Sequence, residues 1–344
     1  MINQTYGYCY KRGEVKLTTI KDISKRCHVS ISTVSRALNG YDDINSSTKE
    51  LVLKVAKELD YIPNKHARAL IKRNNNNLVI ITSSLNEKES IFDILRGLYR
   101  FGEEENYSIS IFTSSLSKKH GKSYYKFCRE NDIAGAMLYG LDKDDKDVIE
   151  LINKKFPVVT INSDISGEKV VSISIDNFKA AYEAVTSLIK SGCKRIATIQ
   201  GEKELYVTKE RIKGYIEALA KNNLEIRKDF ICYGDFSKES GEDSIERLID
   251  NNIDGVFCAS DNIAIGAYEG LKKRKIKIPE SVSVVGFGDK EIARYLTPTL
   301  SSVKEDMYRL GYEGGQILGN IIKGKKLKDG VNVDYEFIRR KSIK

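Results

Sequence analysis

Apolar residues follow two different spacings along this sequence. Between Thr19 and Leu59 they recur every three or four positions, which is the spacing of short amphipathic helices. From Leu78 onward, short apolar runs rich in Val and Ile alternate with helical stretches, and this alternation continues almost to the end of the chain. The pattern predicts a small all-helical unit followed by a larger α/β unit.

The helical unit contains three predicted helices joined by short turns. The first, TTIKDISKRC, is capped by Thr19; the second begins after Ser30 and ends at Asn39-Gly40; the third is capped by Asn45. Their expected shared core consists of Ile23, Val29, Val34, Val52 and Leu59. This arrangement predicts a helix-turn-helix unit, whose second helix turns its polar side outward.

The second helix lies in VSISTVSRALNG, and its polar side has two interpretations. These side chains are either simply solvated, or they contact a partner. Residues 17–73 hold eleven Lys/Arg against six Asp/Glu, an excess of five out of a net charge of +9 for the chain. Clustered cations release counterions from a duplex, and the major groove admits a helix, so the charge favours DNA as the partner.

Nine apolar segments after residue 77 are predicted to be strands. They are LVIITSS, YSISIFTSS, GAMLYG and PVVTIN, followed by a second series of VVSISI, RIATIQG, DFICYG, GVFCAS and VSVVGFG. Helices are expected near Ile91, Ser123 and Asp144, and over Ala180–Lys190, Glu210–Lys221, Lys238–Asp250, Asn262–Lys273 and Asp289–Tyr295. Two such series predict two doubly wound parallel-sheet subdomains with a ligand cleft between them.

LTTIKDISKRCHVSISTVSRALNG, followed by DYIPNKHARAL, resembles the DNA-binding headpiece of the LacI/GalR family of bacterial transcription repressors. The resemblance is continuous from Thr19 to Leu70, and further matches extend it over almost all of the chain beyond residue 16. It implies an all-α helix-turn-helix headpiece plus an α/β effector domain of two doubly wound parallel-sheet subdomains, similar to periplasmic binding proteins of type I.

The resemblance also implies a division of the chain into domains. Residues 1–16 are an extension expected to be disordered, 17–62 the helix-turn-helix domain, 63–77 a hinge helix and linker, and 78–344 the effector-binding and dimerisation domain. Within the last, subdomain 1 is expected at about 78–175 and 304–334, and subdomain 2 at about 176–303 and 335–344. The helix from about Lys304 to Lys323 is expected in the first subdomain, and the last strand, VDYEFIRRKS, in the second.

The matched headpiece positions carry the DNA contacts that the resemblance implies. Base edges are expected to meet Ile31, Ser32 and Arg36, and phosphates to meet Ser30, Thr33, Thr48 and Asn64. A hinge helix containing His66, Ala67 and Leu70 is expected in the minor groove, with Leu70 wedged between base pairs. The alternative for Leu70 is that it docks on the following domain.

Four positions at predicted strand ends are candidates for effector contacts. They are Arg211 in ERIKGY, Phe236 in GDFSKESG, Asp261 in CASDNIAIGA and Asn162 in PVVTIN. The alternative for Arg211 is a surface salt bridge, and for Asp261 a helix N-cap.

One position departs from the family pattern. Gly288, in GFGD, stands where family members commonly have an aspartate that accepts hydrogen bonds from sugar hydroxyls. Either Ser260, Asp261 or Asp289 supplies the acceptor, or the effector is not a standard hexose.

Several function classes find no support in the sequence. The three histidines form no recognisable nucleophile-base arrangement, no GxxxxGK[ST] loop occurs, and GFGDKE fails the GxGxxG pattern. The six cysteines have no CxxC spacing, so reduced thiols are expected. No catalytic residue, bound metal or cofactor is expected. No secretory signal or membrane-length apolar run is found, which predicts a cytoplasmic protein without membrane contact.

The sequence therefore predicts a ligand-responsive transcription regulator, a repressor that binds a pseudo-palindromic operator as a homodimer. The small-molecule effector is expected to be sugar-like. A soluble small-molecule-binding protein without a DNA role is the alternative, since the two-lobed domain alone is compatible with it.

Overall fold

The computed structural model describes residues 18–41, 43–61, 76–83, 85, 91–325 and 330–344. They fall into two compact units, one up to Asn74 and one from Asn75 to Lys344. The predicted extension of residues 1–16 and almost all of the predicted hinge lie outside the described residues.

The headpiece consists of three helices, α1 (Ile20–Cys27), α2 (Ile31–Leu38) and α3 (Ser46–Glu58). All three predicted caps are confirmed. The amide and hydroxyl of Thr19 donate to the Asp22 carboxylate at 2.9 and 2.7 Å, which closes the first turn of α1. The Ser30 hydroxyl accepts from the Thr33 amide at 3.1 Å, and the Asn45 side chain accepts from the Ser47 amide at 3.0 Å. The Ser30 and Asn45 side chains each satisfy an amide that has no partner within its own helix, whereas at Thr19 the Asp22 carboxylate accepts from the amide.

The headpiece has a small hydrophobic core. Ile23, Val34 and Val52 are fully buried, one from each helix. The rest of the buried core consists of Cys27, Ala37, Val55 and Ala56, whereas the predicted members Val29 and Leu59 are partly buried at its edge.

The first lobe of the larger unit is built on a six-stranded parallel sheet of order β11-β5-β4-β3-β1-β2. Its strands are β1 (Asn77–Thr82), β2 (Ser108–Thr113), β3 (Ile133–Tyr139), β4 (Val158–Ile161), β5 (Val170–Ile175) and β11 (Gly330–Val333). Its helices are α4 (Ile91–Glu105), α5 (Ser114–His120), α6 (Tyr124–Glu130), α7 (Lys146–Asn153) and α12 (Met307–Ile322).

The second lobe is built on a six-stranded sheet of order β12-β10-β9-β8-β6-β7. Its strands are β6 (Ile196–Gln200), β7 (Ile231–Tyr233), β8 (Gly255–Cys258), β9 (Ser283–Gly288), β10 (Ser301–Lys304) and the antiparallel edge strand β12 (Glu336–Ile338). Its helices are α8 (Asn177–Lys190), α9 (Tyr206–Lys221), α10 (Lys238–Ile249) and α11 (Asp261–Lys273). The predicted fold class is thereby confirmed.

The chain passes between the lobes three times, after β5, after β10 and after β11. The strand pattern listed VVSISI at the head of the second series, whereas the expected limits of subdomain 1 included it; it is β5 and pairs with β4 and β11 of the first sheet. The strand pattern also missed β10 and β11, whose four-residue lengths give little periodicity. The helix predicted over Asp289–Tyr295 is only a 3-10 turn at Glu291–Arg294.

Candidate nucleic-acid interface and ligand cleft

The exposed side of α2 carries the residues predicted to read DNA. Val34 and Ala37 turn inward, and this leaves Ile31, Ser32 and Arg36 exposed on the other side of the helix. Ile31, at the start of this short helix, is 44% exposed and therefore offers an apolar surface for contact.

Hydroxyl groups cluster at the N-terminus of α2. The Ser30 hydroxyl lies 2.6 Å from that of Ser32 and 2.8 Å from that of Thr33. Together with the orphan amides of a helix N-terminus, this cluster offers several donors to an anion such as a phosphate. Thr48 lies in the first turn of α3 and is partly buried. Asn64, His66, Ala67 and Leu70 lie outside the described residues.

Arg36 has a partner that the sequence analysis did not identify. Its guanidinium forms an ion pair with Asp43 and lies 5.8 Å from the centre of the Tyr41 ring. The arginine side chain is 52% exposed and that of Asp43 48%, and pairs this exposed contribute little to stability. The contact therefore orients Arg36 and leaves about half of its side chain exposed.

A cleft of about 1000 Å³ lies between the lobes, at the carboxyl ends of the strands. Three of the four predicted effector contacts, Arg211, Phe236 and Asn162, line it. The fourth, Asp261, is not among its lining residues.

Arg211 lies in the interior and is only 5% exposed, so the alternative of a surface salt bridge is wrong. Its guanidinium donates to the Asn177 side chain at 2.8 Å and to the Ala259 carbonyl at 2.7 Å. It also stacks 3.6 Å from the centre of the Phe287 ring and approaches the Glu305 carboxylate at 3.8 Å. Burial lowers the pKa of Arg211 to about 10, although Glu305 opposes the shift, so the group stays charged at neutral pH.

Arg211 belongs to a closed polar network that joins the two lobes. The Asn177 side chain donates to the Ser174 hydroxyl at 3.0 Å, and Ser174 donates to the Asn162 side chain at 2.8 Å. Asn162 in turn donates to Glu305 at 2.6 Å, and Glu305 faces Arg211. Asn177 lies two residues after β5, and Glu305 directly follows β10, which are two of the strands after which the chain changes lobe. The sequence analysis missed both; the only signal was a polar residue beside each crossing.

The Phe236 ring is fixed by an unusual backbone. Its φ of +61° lies in the left-handed region, and the ring covers Gly201 so closely that a Cβ there would lie 1.8 Å from a ring carbon. Only glycine at position 201 allows this contact, and Phe236 lines the cleft.

Asp261 does not line the cleft in this structure, and it is not the N-cap of α11. Its side chain is fully buried, with one oxygen accepting from the Ser302 hydroxyl at 2.7 Å and the other from the Lys290 amide at 2.6 Å. Burial raises its pKa to about 6. The cap of α11 is Ser260, whose hydroxyl accepts from the Ile263 amide at 3.1 Å. Asp261 therefore ties the loop after β9 to β10 beneath the cleft.

The environment of Gly288 shows why an aspartate there would meet opposition. Its φ of +121° lies in a region that side-chain-bearing residues rarely adopt, and the Asp261 carboxylate lies beside it, 3.6 Å from the place of a Cβ. Asp289 does not replace the missing acceptor, because its side chain is 1% exposed and pairs with Arg340 at 2.5 Å. Of the three suggested substitutes, Ser260 lines the cleft.

The described residues offer neither a membrane-spanning helix nor a metal site. None of the described helices is both long and apolar enough to cross a membrane. The same residues contain no group of three or more His, Cys, Asp or Glu side chains placed to hold a metal ion.

Known protein families match both the headpiece and the larger unit of this chain. Residues 19–64 match the family described as bacterial regulatory proteins, lacI family, and residues 185–343 match the periplasmic binding protein-like domain. The HTH-type transcriptional regulator RegA of Clostridium acetobutylicum is 32% identical over 333 residues, which cover 95% of this chain and 99% of RegA. The probable HTH-type transcriptional repressor ExuR of Bacillus subtilis is 29% identical over 334 residues, with coverage of 95% and 99%.

A solved structure extends the agreement to three dimensions. The transcriptional regulator CelR in complex with cellobiose superposes with a TM-score of 0.72 at 27% identity, over 94% of this chain and 99% of CelR. A relative above 30% identity that matches nearly end to end, together with a helix-turn-helix headpiece and a two-lobed domain, establishes the family. The chain is a member of the LacI family of bacterial transcription regulators, which are not enzymes.

Proposed function

We propose that this protein is a transcription repressor that binds a pseudo-palindromic operator as a homodimer and responds to a small molecule in its cleft. The observation that carries the proposal is the exposed side of α2, where an apolar residue, a hydroxyl and an arginine stand together on a positively charged headpiece. A DNA-binding regulator works where the chromosome is, so we assign it to the cytoplasm.

The headpiece contacts divide by chemistry. Ile31, Ser32 and Arg36 meet base edges in the major groove, where an arginine fork reads guanine and an isoleucine meets apolar groups. Ser30, Thr33, Thr48 and Asn64 hold phosphates, which set the register of the helix on the duplex.

The proposed domain boundaries follow the same division, with a headpiece at 17–62, a linker at 63–77 and an effector domain at 78–344. Within the linker, we assign the minor groove to His66, Ala67 and Leu70, on the resemblance alone. Leu70→Ala should then reduce both the bend and the affinity of the operator, as measured by circular-permutation gel shifts.

The effector lies between the lobes against Arg211, Phe236 and Asn162, with Asp261 acting only through the loop that it holds. The CelR relative was solved with cellobiose, and a sugar-like ligand suits a cleft with an aromatic ring edge and many polar groups. Because the cleft walls come from both lobes, ligand binding biases their closure and thereby the DNA-competent form.

One face of the first lobe suits a second copy of the chain. Along α4, Phe92 and Tyr99 are each 56% exposed, and Tyr308 of α12 stands beside them at 38%. These residues, with Leu95 and Arg96, form what we call the aromatic face; a groove of about 350 Å³ runs along it. Large aromatic side chains exposed together are typical of a protein interface, and two-fold pairing doubles the contacts to DNA.

The test is binding to an operator selected from random duplexes by the protein itself. Arg36→Ala should weaken binding to the selected duplex by about 1–3 kcal/mol and relax preference at one base position, while binding to random DNA changes less. The matched control is Arg26→Ala, an exposed headpiece arginine on α1, which should affect both duplexes alike.

Two results would contradict the proposal. Equal losses by Arg36→Ala on selected and random DNA would show that Arg36 reads no base. A wild-type chain that enriches no duplex at physiological salt would favour the alternative, a small-molecule-binding protein without a DNA role.

A further inference from the structure

The charges that line the cleft run against those of the chain as a whole. The chain carries a net charge of +9, yet the cleft is lined by seven Asp/Glu and four Lys/Arg. Acidic side chains of both lobes contribute to this lining, among them Asp142 of the first lobe and Glu204 of the second. The hydrogen bond from Lys209 lowers the pKa of Glu204, and the charge of Asp142 opposes that shift. If the cleft closed on an anionic ligand, the ligand would add a negative charge to a lining that is already acidic.

The cations of the cleft have partners already. Lys143 pairs with Asp164 at 3.0 Å, and Lys209 pairs with Glu204 at 2.9 Å. Arg211 is held by Asn177, by the Ala259 carbonyl and by the Phe287 ring, with Glu305 as its counter-charge. A carboxylate or phosphate on the ligand would compete with the acidic partner of each of these three cations.

Glu305, in contrast, retains capacity to accept hydrogen bonds. Its side chain is 8% exposed and lines the cleft. One oxygen accepts from Asn162 at 2.6 Å, and the other is 3.8 Å from Arg211, which is beyond hydrogen-bonding distance. An ionised carboxylate has about four acceptor positions, so a ligand donor can still be accommodated.

A second group in the cleft lining can also bind a ligand. Thr160, in β4, is fully buried and lines the cleft, and its hydroxyl has no hydrogen-bond partner among the described residues. A buried hydroxyl without a partner is unfavourable, and a bound ligand would relieve it.

We propose that the cleft binds an uncharged or amine-bearing ligand rich in hydrogen-bond donors, and not an anionic one. Glu305 supplies the carboxylate that position 288 lacks, and the Thr160 hydroxyl supplies a second contact. This inference rests on the effector role of the cleft proposed above. It names two residues that the sequence analysis did not consider and excludes phosphorylated and uronate effectors.

The experiment uses the full-length chain and matched ligands. Calorimetric titration compares D-glucose and D-glucosamine with D-glucuronate and glucose 6-phosphate, cellobiose with cellobiuronate, and cytidine with cytidine monophosphate. We expect an uncharged or amine-bearing member to bind at least about tenfold more tightly than its anionic counterpart. Glu305→Gln should weaken binding of the uncharged or amine-bearing member about tenfold, and it should reduce the difference in affinity between that member and its anionic counterpart.

Two further variants separate ligand contact from folding. Thr160→Val keeps the side-chain volume, so it should weaken ligand binding without lowering the thermal midpoint, because the hydroxyl has no partner to lose. Glu225→Gln removes the same charge as Glu305→Gln from an exposed residue outside the cleft, and it should leave affinities within about twofold of wild type.

Three outcomes would overturn the assignment. An anionic ligand could bind as tightly as its uncharged or amine-bearing counterpart, Glu305→Gln could leave the difference between their affinities unchanged, or no ligand of the set could bind. Operator binding by the ligand-free protein is measured on the same preparations. Its retention would show that the ligand class is wrong while the DNA-binding function stands, and its loss would show that the proposed function itself fails.

Discussion

Arg211 places a buried guanidinium where the two lobes meet. Its contacts with Asn177, Ala259 and Phe287 hold α9 against the second lobe, and Glu305 connects it to the crossing into α12. A side chain with this many internal partners supports the scaffold as well as the cleft wall. Substitutions at this position therefore affect stability as well as ligand binding.

Arg211→Ala should lower the free energy of unfolding of the effector domain by about 3–5 kcal/mol, because Glu305 is left buried without its counter-charge. Urea unfolding measures the change. Arg274→Ala, which removes an exposed pair with Asp250, is the control and should cost less than about 1 kcal/mol. Equal effects of the two substitutions would show that the buried pair contributes no more than a surface one.

Asp261 gives stability a pH dependence of its own. Its pKa is about 6 in the folded protein because of burial, above its ordinary value of 3.8. A raised carboxyl pKa means that the folded state binds the proton more tightly than the unfolded state does. Protonation of Asp261 therefore adds to the free energy of unfolding in full below a pH of about 4, and this addition is lost as the pH rises through about 6. The difference amounts to about 3 kcal/mol.

Asp261→Asn should remove that contribution while keeping one acceptor for the Lys290 amide. Wild-type stability minus that of the variant, measured by urea unfolding, should fall between pH of about 4 and about 6 and then stay level. A difference that stays constant or rises over this range would contradict the raised pKa.

At the scale of elements, α4 and α12 cross with their backbones in contact. A Cβ at Gly97 would lie 2.0 Å from the Tyr308 carbonyl, and one at Gly311 would lie 2.1 Å from the Ile94 carbonyl. Backbone atoms cannot move aside as a flexible side chain can, so the two glycines fix the distance between the helices. The same crossing brings Tyr99 and Tyr308 together on the aromatic face.

Gly97→Ala should destabilise the effector domain by about 1–3 kcal/mol, since it forces α4 and α12 apart. In an unpacked helix the same change would stabilise by up to about 1 kcal/mol, so the sign of the effect is the test. Thermal unfolding measures it, with Glu103→Ala on the exposed side of α4 as control. A Gly97→Ala protein more stable than wild type would exclude the close crossing.

At the scale of the whole molecule, the aromatic face is the feature that we expect to set the oligomeric state. Tyr99→Asp should convert the dimer into monomers at micromolar concentration, because it buries a charge in the centre of the contact. Sedimentation velocity measures the mass, and Ile226→Asp, at an exposed apolar residue of the second lobe, is the control. A Tyr99→Asp protein that remains dimeric would place the interface elsewhere.

The local chemistry of the sequence determined the headpiece and most of the elements. Helix caps at Thr19, Ser30 and Asn45 act within three residues, so the printed sequence contains all that is needed to predict them. The same holds for buried parallel strands, whose apolar runs stand out from the helices between them. The helix-turn-helix and the two α/β lobes follow from these signals.

Only the tertiary structure decided which strand joins which sheet and which polar residues meet in the cleft. The strand pattern alone does not assign VVSISI to either sheet, and its place depends on pairing with Gly330–Val333, far along the chain. Asn162 and Glu305 are 143 residues apart and meet only because two crossings lie side by side. Asp261 faces inward and Arg211 is buried for the same reason: burial is a property of the packed lobes, and no short stretch of sequence contains it.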